Sequence, residues 1–162
     1  MRIRRAIIAD IPAIIAVDLS AGQLFSGTHM DWAVGEASDL AELYGPIRSG
    51  HVWVAEEGED IAAYLAGEPV EDVFHIEEVA VSAHFQRRGI GRMLIEKVEN
   101  VSRSKGLTAL TLTTDRILPW NAPYYERIGF VILSADDLTP SLAAQLASKP
   151  NPALRCAMKL SL

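Results

Sequence analysis

The chain has 162 residues, of which 49% are hydrophobic and 22% are charged. This length and composition predict a soluble single domain, residues 1–162, with one substantial core. Fifteen basic and twenty-one acidic residues give a net charge of −6. That balance argues against a nucleic-acid partner, because such binding depends on neutralising phosphates with basic side chains. The single cysteine, Cys156, excludes an internal disulfide and is predicted to be a buried small hydrophobe.

The N-terminal region is not predicted to target the chain to a membrane. An Ile-rich stretch follows Met1–Arg5, but Asp10, Pro12 and Asp18 interrupt it and no clear cleavage site follows. No uninterrupted apolar run approaches the roughly 18 residues that a membrane span requires. We therefore expect a cytoplasmic protein with no membrane association.

The first elements in chain order are a strand and an amphipathic helix. Arg2–Ile8 has the composition of a strand, and Asp10 is placed as the N-cap of the helix that follows. The apolar face of this helix is predicted from four positions: Ile11, Ile14, Ile15 and Leu19. Residues 21–50 are less regular and predict one or two short helices ending near Gly45–Pro46, joined by a loop that carries Phe25, His29 and Trp32.

From His51 onward the pattern changes to strands. Residues 51–56 and 60–67 predict a hairpin around Glu57–Gly58–Glu59, and residues 74–81 predict a third strand. A helix ending near Lys105–Gly106 and a strand over 109–114 complete a strand–helix–strand unit, which implies a right-handed parallel crossover. The last predicted elements are a helix over 121–128, an extended segment over 130–133, a helix over 139–148 and a strand over 154–160.

The junction between the third strand and its helix is suited to an anion. The first amides of a helix have no intrahelical acceptor, and the helix dipole adds partial positive charge there. Gly89 and Gly91 allow a ligand to approach the backbone closely. Four side chains at the junction offer further donors: Gln86, Arg87, Arg88 and Arg92. A dinucleotide-binding fingerprint is set aside, because the chain lacks its third glycine and the acidic residue about twenty positions later.

Residues 73–130 resemble a known enzyme family. Gln86-Arg87-Arg88-Gly89-Ile90-Gly91 is similar to the (Gln/Arg)-x-x-Gly-x-(Gly/Ala) signature of the GNAT N-acetyltransferases, and Asn121 to Phe130 resembles the second signature of that family. The resemblance implies a mixed α/β (α+β) fold: a mostly antiparallel central sheet with helices on both faces and a βαβ crossover at the cofactor loop. It also implies acetyl-CoA as cosubstrate, with its pyrophosphate on residues 86–91.

The resemblance further implies how residues share the reaction. An alkylamine with a pKa of about 10.4 is mostly protonated at pH 7, so a base or a water chain must deprotonate it before attack on the thioester. Glu78 is favoured over Glu77 as that base, although both being solvated strand charges is the competing interpretation. Tyr125 is assigned as the proton donor to the departing thiolate, and Tyr124 is expected to pack.

The same family pattern implies further cofactor contacts. The strand segment Val79-Ala80-Val81 would offer backbone groups to the pantetheine arm and to the thioester carbonyl. Asn121 is placed to cap its helix and, in similar proteins, contacts the CoA arm. Either use, or both, accounts for an asparagine at this position.

The acceptor is predicted to be a small-molecule or peptide amine. Phe25, Trp32 and Trp120 are candidate substrate-binding residues, and Asp31 and Asp115 would add acidic groups to the same lining. The four histidines are scattered without ligand spacing, so no metal site is predicted. A homodimer is a possible assembly. A CoA-binding sensor without catalysis, or a transferase of another acyl group, are the alternative functions.

Overall fold

Seven β-strands form the framework of the computed structural model, which describes residues 1–162. The strands are β1 (Arg2–Arg5), β2 (Val52–Glu57), β3 (Asp60–Val70), β4 (Val73–Val81), β5 (Ala109–Asp115), β6 (Val131–Ile132) and β7 (Arg155–Ser161). Their order in the sheet is β1-β2-β3-β4-β5-β7-β6. β4 and β5 pair in parallel, whereas β1–β2, β2–β3, β5–β7 and β6–β7 pair antiparallel. The predicted mixed, mostly antiparallel sheet is therefore confirmed.

Five α-helices connect the strands. They are α1 (Ile11–Gly22), α2 (Leu40–Arg48), α3 (Ile90–Ser104), α4 (Ala122–Arg127) and α5 (Pro140–Ala147). α3 joins the parallel strands β4 and β5, as the predicted crossover requires. α5 begins where the Thr139 hydroxyl accepts a hydrogen bond from the Leu142 amide.

The chain divides into two compact units. Unit 1 comprises Met1–Glu68 and Glu78–Val98, and unit 2 comprises Pro69–Glu77 and Glu99–Leu162. The chain passes from one unit to the other inside β3, inside β4 between Glu77 and Glu78, and inside α3, so these three elements contribute residues to both units. The count of one domain stays a prediction.

The core of unit 1 forms between α1 and the first strands. Ile11, Ile14 and Val17 of α1 are buried in one cluster with residues of β2, β3 and α2. Val17 takes the place predicted for Leu19, which is 41% exposed, and Ile15 is only partly buried. The helical period explains this correction, since positions 14 and 17 lie on one side of a helix and position 19 does not.

The N-terminal strand is shorter than predicted. β1 ends at Arg5, and Ile8–Asp10 forms a 3₁₀ turn before α1. The Asp10 carboxylate does not cap α1 as predicted. It accepts hydrogen bonds from the Arg4 guanidinium at 2.7 and 2.9 Å and from the Ile7 amide at 2.8 Å. The bond to Arg4 is the main cause that holds the pKa of Asp10 below its ordinary value.

α2 continues through the proline at which it was predicted to end. Pro46 lies inside the helix and has no N–H to donate to the preceding turn, yet α2 extends to Arg48. Leu43 and Ile47, four residues apart, are both buried in the core cluster of unit 1. Burial of Ile47 therefore outweighs the hydrogen bond that proline removes.

The helical stretch around α1 is longer than the apolar pattern indicated. With the flanking 3₁₀ turns it covers Ile8–Phe25, and these 18 residues are long and apolar enough to cross a membrane by length and composition alone. Core helices of soluble proteins and signal sequences meet the same criterion. In this structure 28% of the stretch is buried. The absence of membrane association stays a prediction.

The core of unit 2 forms around β5. Six of its seven residues are buried, because it pairs with β4 on one edge and β7 on the other. His75 Nδ1 lies 2.9 Å from Thr111 Oγ1, and both side chains are buried. Cys156 on β7 is 1% exposed, and burial raises the pKa of its thiol. The prediction of a buried, small cysteine is confirmed.

Candidate functional site

The predicted cofactor loop begins where β4 ends. After Val81, a 3₁₀ turn over Ala83–Phe85 leads into the loop residues 86–89, and α3 begins at Ile90. Ile90, Leu94 and Val98 are buried, so one face of α3 is covered from its first residue onward. The amides of the first turn have no acceptor within the helix, so they remain available to an anion.

The loop backbone has two left-handed residues. Arg87 has φ +61° and Gly89 has φ +77°. A Cβ at Gly89 would meet nothing within 4 Å, so packing does not require a glycine there. The positive φ favours a glycine there, and the lack of neighbouring atoms leaves open space over the loop. Backbone of this kind turns successive N–H groups toward a shared concavity that suits an anion.

The predicted side-chain donors mostly bind protein groups. Arg88 donates two hydrogen bonds to the Glu57 carboxylate, at 2.8 and 2.6 Å, and its guanidinium lies 5.5 Å from the centre of the Phe85 ring. The Arg92 Nε donates to Glu96 at 2.8 Å. Arg87 is exposed and lies on the left-handed turn itself. Backbone amides are therefore the stronger part of the candidate anion site.

Gln86 stabilises the loop from within. Its Nε2 donates to the Val81 carbonyl at 3.1 Å, which connects the loop to the end of β4. The sequence predicted Gln86 as a ligand donor and Val81 as a backbone partner of the cofactor arm. In this structure the two groups bind each other, so Gln86 holds the shape of the loop.

β4 continues toward the loop beyond the residues that pair in parallel with β5. β4 pairs with β5 over Val73–His75, and then continues to Val81. Ala80 is buried, whereas Val79 and Val81 are half-buried. The use of their backbone groups by a cofactor stays a prediction.

The two candidate bases lie side by side in the middle of β4. Glu77 and Glu78 are both exposed, and alternation along a strand places their side chains on opposite faces of β4. Glu78 belongs to unit 1, and its charge is one cause that raises the pKa of the buried Tyr64, after desolvation.

The polar cluster around Tyr64 was not predicted from the sequence. Tyr64 is fully buried on β3, and its hydroxyl donates to Asp18 Oδ1 at 2.6 Å. Asp18 Oδ2 accepts from the Ser38 amide at 2.8 Å, and Ser38 Oγ lies 3.2 Å from the Tyr64 hydroxyl. The cluster connects α1 to the chain just before α2. The one signal in the sequence is that Asp18 follows Val17 on the buried side of a helix.

Replacing Tyr64 by phenylalanine is expected to lower the free energy of unfolding by about 1–3 kcal/mol. The ring would still fill its place, but the buried Asp18 carboxylate would lose a donor. Urea unfolding followed by circular dichroism measures the change. Tyr44→Phe is the matched control, because that side chain is 40% exposed on α2 and its loss of a hydroxyl should change stability by less than about 0.5 kcal/mol. Equal changes in both variants would contradict the role given to the Tyr64 hydroxyl.

Tyr125 lies on α4, in unit 2. Its ring packs edge-on against Phe130, with ring centres 5.6 Å apart, and against Tyr124 at 5.3 Å. The Tyr125 carbonyl accepts hydrogen bonds from the Ile128 and Phe130 amides, which ends the helix. Tyr124 is contacted on its ring face by the Arg127 guanidinium at 5.8 Å. The assignment of Tyr125 as proton donor stays a prediction.

Asn121 does not cap α4 with its side chain as predicted. Its Nδ2 donates to Thr114 Oγ1 at 2.8 Å, and its backbone carbonyl receives the Tyr124 and Tyr125 amides. The Asn121 Oδ1 is buried and has no hydrogen-bond partner. A buried acceptor of this kind costs free energy unless a donor arrives. The arrangement therefore fits a ligand with an N–H group.

The residues predicted to bind the amine substrate differ in burial and in the unit to which they belong. Phe25 and Trp32 are half-buried on two 3₁₀ turns of unit 1, and Trp120 is 37% exposed in unit 2. Asp31 accepts from the Gly27 amide at 3.1 Å. Asp115 does not line an open surface as predicted. It is 1% exposed and accepts the Ile117 and Leu118 amides at 2.8 and 2.7 Å, so its carboxylate stabilises a turn.

Comparison with protein families identifies a match over two thirds of the chain. The family described as the acetyltransferase (GNAT) family matches residues 23–130. A probable N-acetyltransferase, camello, from Xenopus tropicalis is 26% identical over 113 residues, covering 68% of this chain and 51% of its own. The probable N-acetyltransferase family 8 member 5 of Mus musculus is 27% identical over 134 residues, covering 77% and 57%. The chain thus spans about half the length of these curated relatives.

Solved structures share the fold at low sequence identity. The PaiA N-acetyltransferase from Thermoplasma acidophilum, in complex with coenzyme A, has a TM-score of 0.76 and 15% identity, covering 99% of this chain and 98% of its own. The N-acetylglutamate synthase from Neisseria gonorrhoeae, complexed with coenzyme A and N-acetyl-glutamate, has a TM-score of 0.78 and 19% identity, covering 99% and 35%. These likenesses confirm the predicted fold.

Proposed function

Because the chain belongs to the acetyltransferase (GNAT) family, we propose that it transfers the acetyl group of acetyl-CoA to an amine, by direct attack in a ternary complex. The observation that carries this proposal is the loop before α3. Left-handed Arg87 and Gly89, open space above Gly89 and the buried start of α3 together present backbone amides to an anion. The diphosphate of coenzyme A has the matching charge.

The residues present fit this cosubstrate in a second respect. The buried Asn121 Oδ1 has no donor within the protein, and the pantetheine arm of coenzyme A contains amide N–H groups that could donate to it. Residues 86–91 would hold the diphosphate, and Asn121 would contact the arm. Backbone groups of Val79, Ala80 and Val81 would contact it too. Bound acetyl-CoA supplies the acetyl group as a reactive thioester.

Two side chains would transfer the protons of the reaction, one as a base and one as a proton donor. Glu78 is the proposed base that deprotonates the amine, directly or through water, and Glu77 is the second candidate. Both glutamates are exposed on β4, and the charge of Glu78 also acts on Tyr64 of the Asp18–Tyr64–Ser38 cluster. Tyr125 is the proposed donor to the thiolate that leaves after the amine attacks. Its phenol carries an O–H that can donate a proton.

The proposed acceptor is a small-molecule or peptide amine. Phe25 and Trp32, half-buried on 3₁₀ turns, and the exposed Trp120 offer aromatic surface for its apolar part. The net charge of −6 favours the approach of a cationic amine over that of an anion.

A thiol-release assay tests the proposal. Purified protein is given acetyl-CoA and a panel of amines: amino acids, polyamines, aminoglycosides and peptides with free N-termini or lysines. Release of coenzyme A thiol that depends on one class of amine is the expected result, with the acetylated amine identified by mass spectrometry. Binding of coenzyme A without turnover on any amine would favour a sensor instead. Faster turnover with another acyl-CoA would change the acyl group assigned.

A further inference from the structure

Thr114 and Asn121 form a polar pair in which one buried acceptor atom, Asn121 Oδ1, has no hydrogen-bond partner. Thr114 lies on β5, 5% exposed, and its Oγ1 accepts the hydrogen bond from Asn121 Nδ2 at 2.8 Å. The oxygen and nitrogen ends of a carboxamide point in opposite senses, so engaging Nδ2 directs Oδ1 the other way. Oδ1 is the buried atom without a partner.

We propose that Thr114 is a positioning residue, which orients the Asn121 carboxamide so that Oδ1 accepts a hydrogen bond from an amide N–H of bound coenzyme A. This inference rests on the proposed function and goes beyond it, because it assigns a role to a strand residue outside the family signatures. It also assigns the direction of the hydrogen bond: the ligand donates, and Asn121 Oδ1 accepts.

The backbone around the pair explains why a side chain is needed to fix this orientation. Asn121 does not cap α4 with its side chain, so no bond to the helix amides restrains the carboxamide. Thr114 itself is held in β5, where it stands opposite Cys156 of β7. The hydroxyl is thus carried by a strand paired on both edges, and its bond to Nδ2 restrains a carboxamide that makes no capping bond.

Calorimetric titration with coenzyme A tests the inference. Thr114→Val keeps the shape of the side chain but removes the acceptor, and it should raise the dissociation constant about 3- to 10-fold. Thr114→Ser retains the hydroxyl and should restore affinity to within about twofold of the wild type. Thr113→Val is the matched control, since the neighbouring threonine points to the other face of β5 and should leave affinity unchanged. Thermal unfolding of each variant verifies that it is folded.

Two further measurements separate positioning from a general packing effect. In an Asn121→Ala background, Thr114→Val should have no additional effect on affinity, because the residue through which it acts is absent. The affinity for coenzyme A analogues, each with an ester in place of one of the two pantetheine amides, should identify the amide whose N–H donates to Asn121 Oδ1. With that analogue, wild type and Thr114→Val should bind equally.

The outcomes are distinct. Equal affinity of wild type and Thr114→Val for coenzyme A would overturn the inference alone, as would a Thr114→Val effect that persists in the Asn121→Ala background. Undiminished binding of both ester analogues would show that no amide N–H of the ligand donates to Asn121 Oδ1. A wild-type protein that does not bind coenzyme A at all would overturn the proposed function, and this inference with it.

Discussion

The Gly89→Val protein should bind coenzyme A about 100-fold more weakly than the wild type, or not measurably, while remaining folded. Gly89 has φ +77° in the loop proposed to hold the diphosphate, and the space above it is open. A valine there would place a branched side chain in that space and would strain the left-handed backbone. Hydrogen bonds to charged groups contribute about 1.5–3 kcal/mol each, so displacing two of them accounts for the loss.

Gly106→Val is the matched control for backbone strain. Gly106 follows the other end of α3, has φ +75°, and likewise would have nothing within 4 Å of an added Cβ. Both variants should therefore lose similar stability in thermal unfolding, and only Gly89→Val should lose affinity in calorimetry. Retained affinity in Gly89→Val would remove the diphosphate from this loop. Equal loss in Gly106→Val would mean that affinity follows stability instead.

The Tyr125→Phe protein should lose about 10²- to 10⁴-fold in kcat while binding coenzyme A as the wild type does. The phenyl ring can keep its edge-on packing against Phe130 and Tyr124, so the substitution removes the hydroxyl and keeps these ring contacts. Without a proton donor the thiolate would leave as an anion, which raises the barrier to breaking the thioester. Thiol release with the best amine of the panel measures kcat, and calorimetry measures affinity.

Tyr124→Phe provides the comparison on the same helix. Tyr124 is the adjacent tyrosine and its ring face is contacted by Arg127. Its kcat should stay within about threefold of the wild type, since a residue outside the chemistry alters the barrier by less than about 1 kcal/mol. Wild-type kcat in Tyr125→Phe would assign protonation of the thiolate to water. Equal losses in both variants would indicate a packing effect of α4.

Local patterns predicted most of the elements because each follows from neighbours in the chain. The hairpin of β2 and β3, the strand–loop–helix at 73–104 and the helix stop at Gly106 depend on period, turn residues and capping, which act over a few residues. The helix through Pro46 is an exception. There, burial of Ile47 in a core assembled from distant segments outweighs a local rule.

The candidate site likewise has features that local sequence predicts and features that it does not. The loop at residues 86–91 could be predicted, since glycines and a helix start are local features, and the family it indicated is the one to which the chain belongs. The hydrogen-bond partners of individual side chains could not be predicted. Nothing in the order of residues indicates that Arg88 binds Glu57, that Gln86 binds Val81, or that Asp115 is buried beneath a turn.

The sequence by itself determined the type and order of most elements and the family, because periodicity, turn residues and short motifs act over a few neighbouring residues. It also predicted the loop at residues 86–91, whose use by an anion stays a prediction. Only the tertiary structure decided which polar groups meet. The Asp18–Tyr64–Ser38 cluster joins residues up to 46 positions apart, and the Asn121–Thr114 pair depends on a strand and a helix start meeting in unit 2. Hydrogen bonds need atoms within about 3 Å, and that distance is set by the packing of the whole unit.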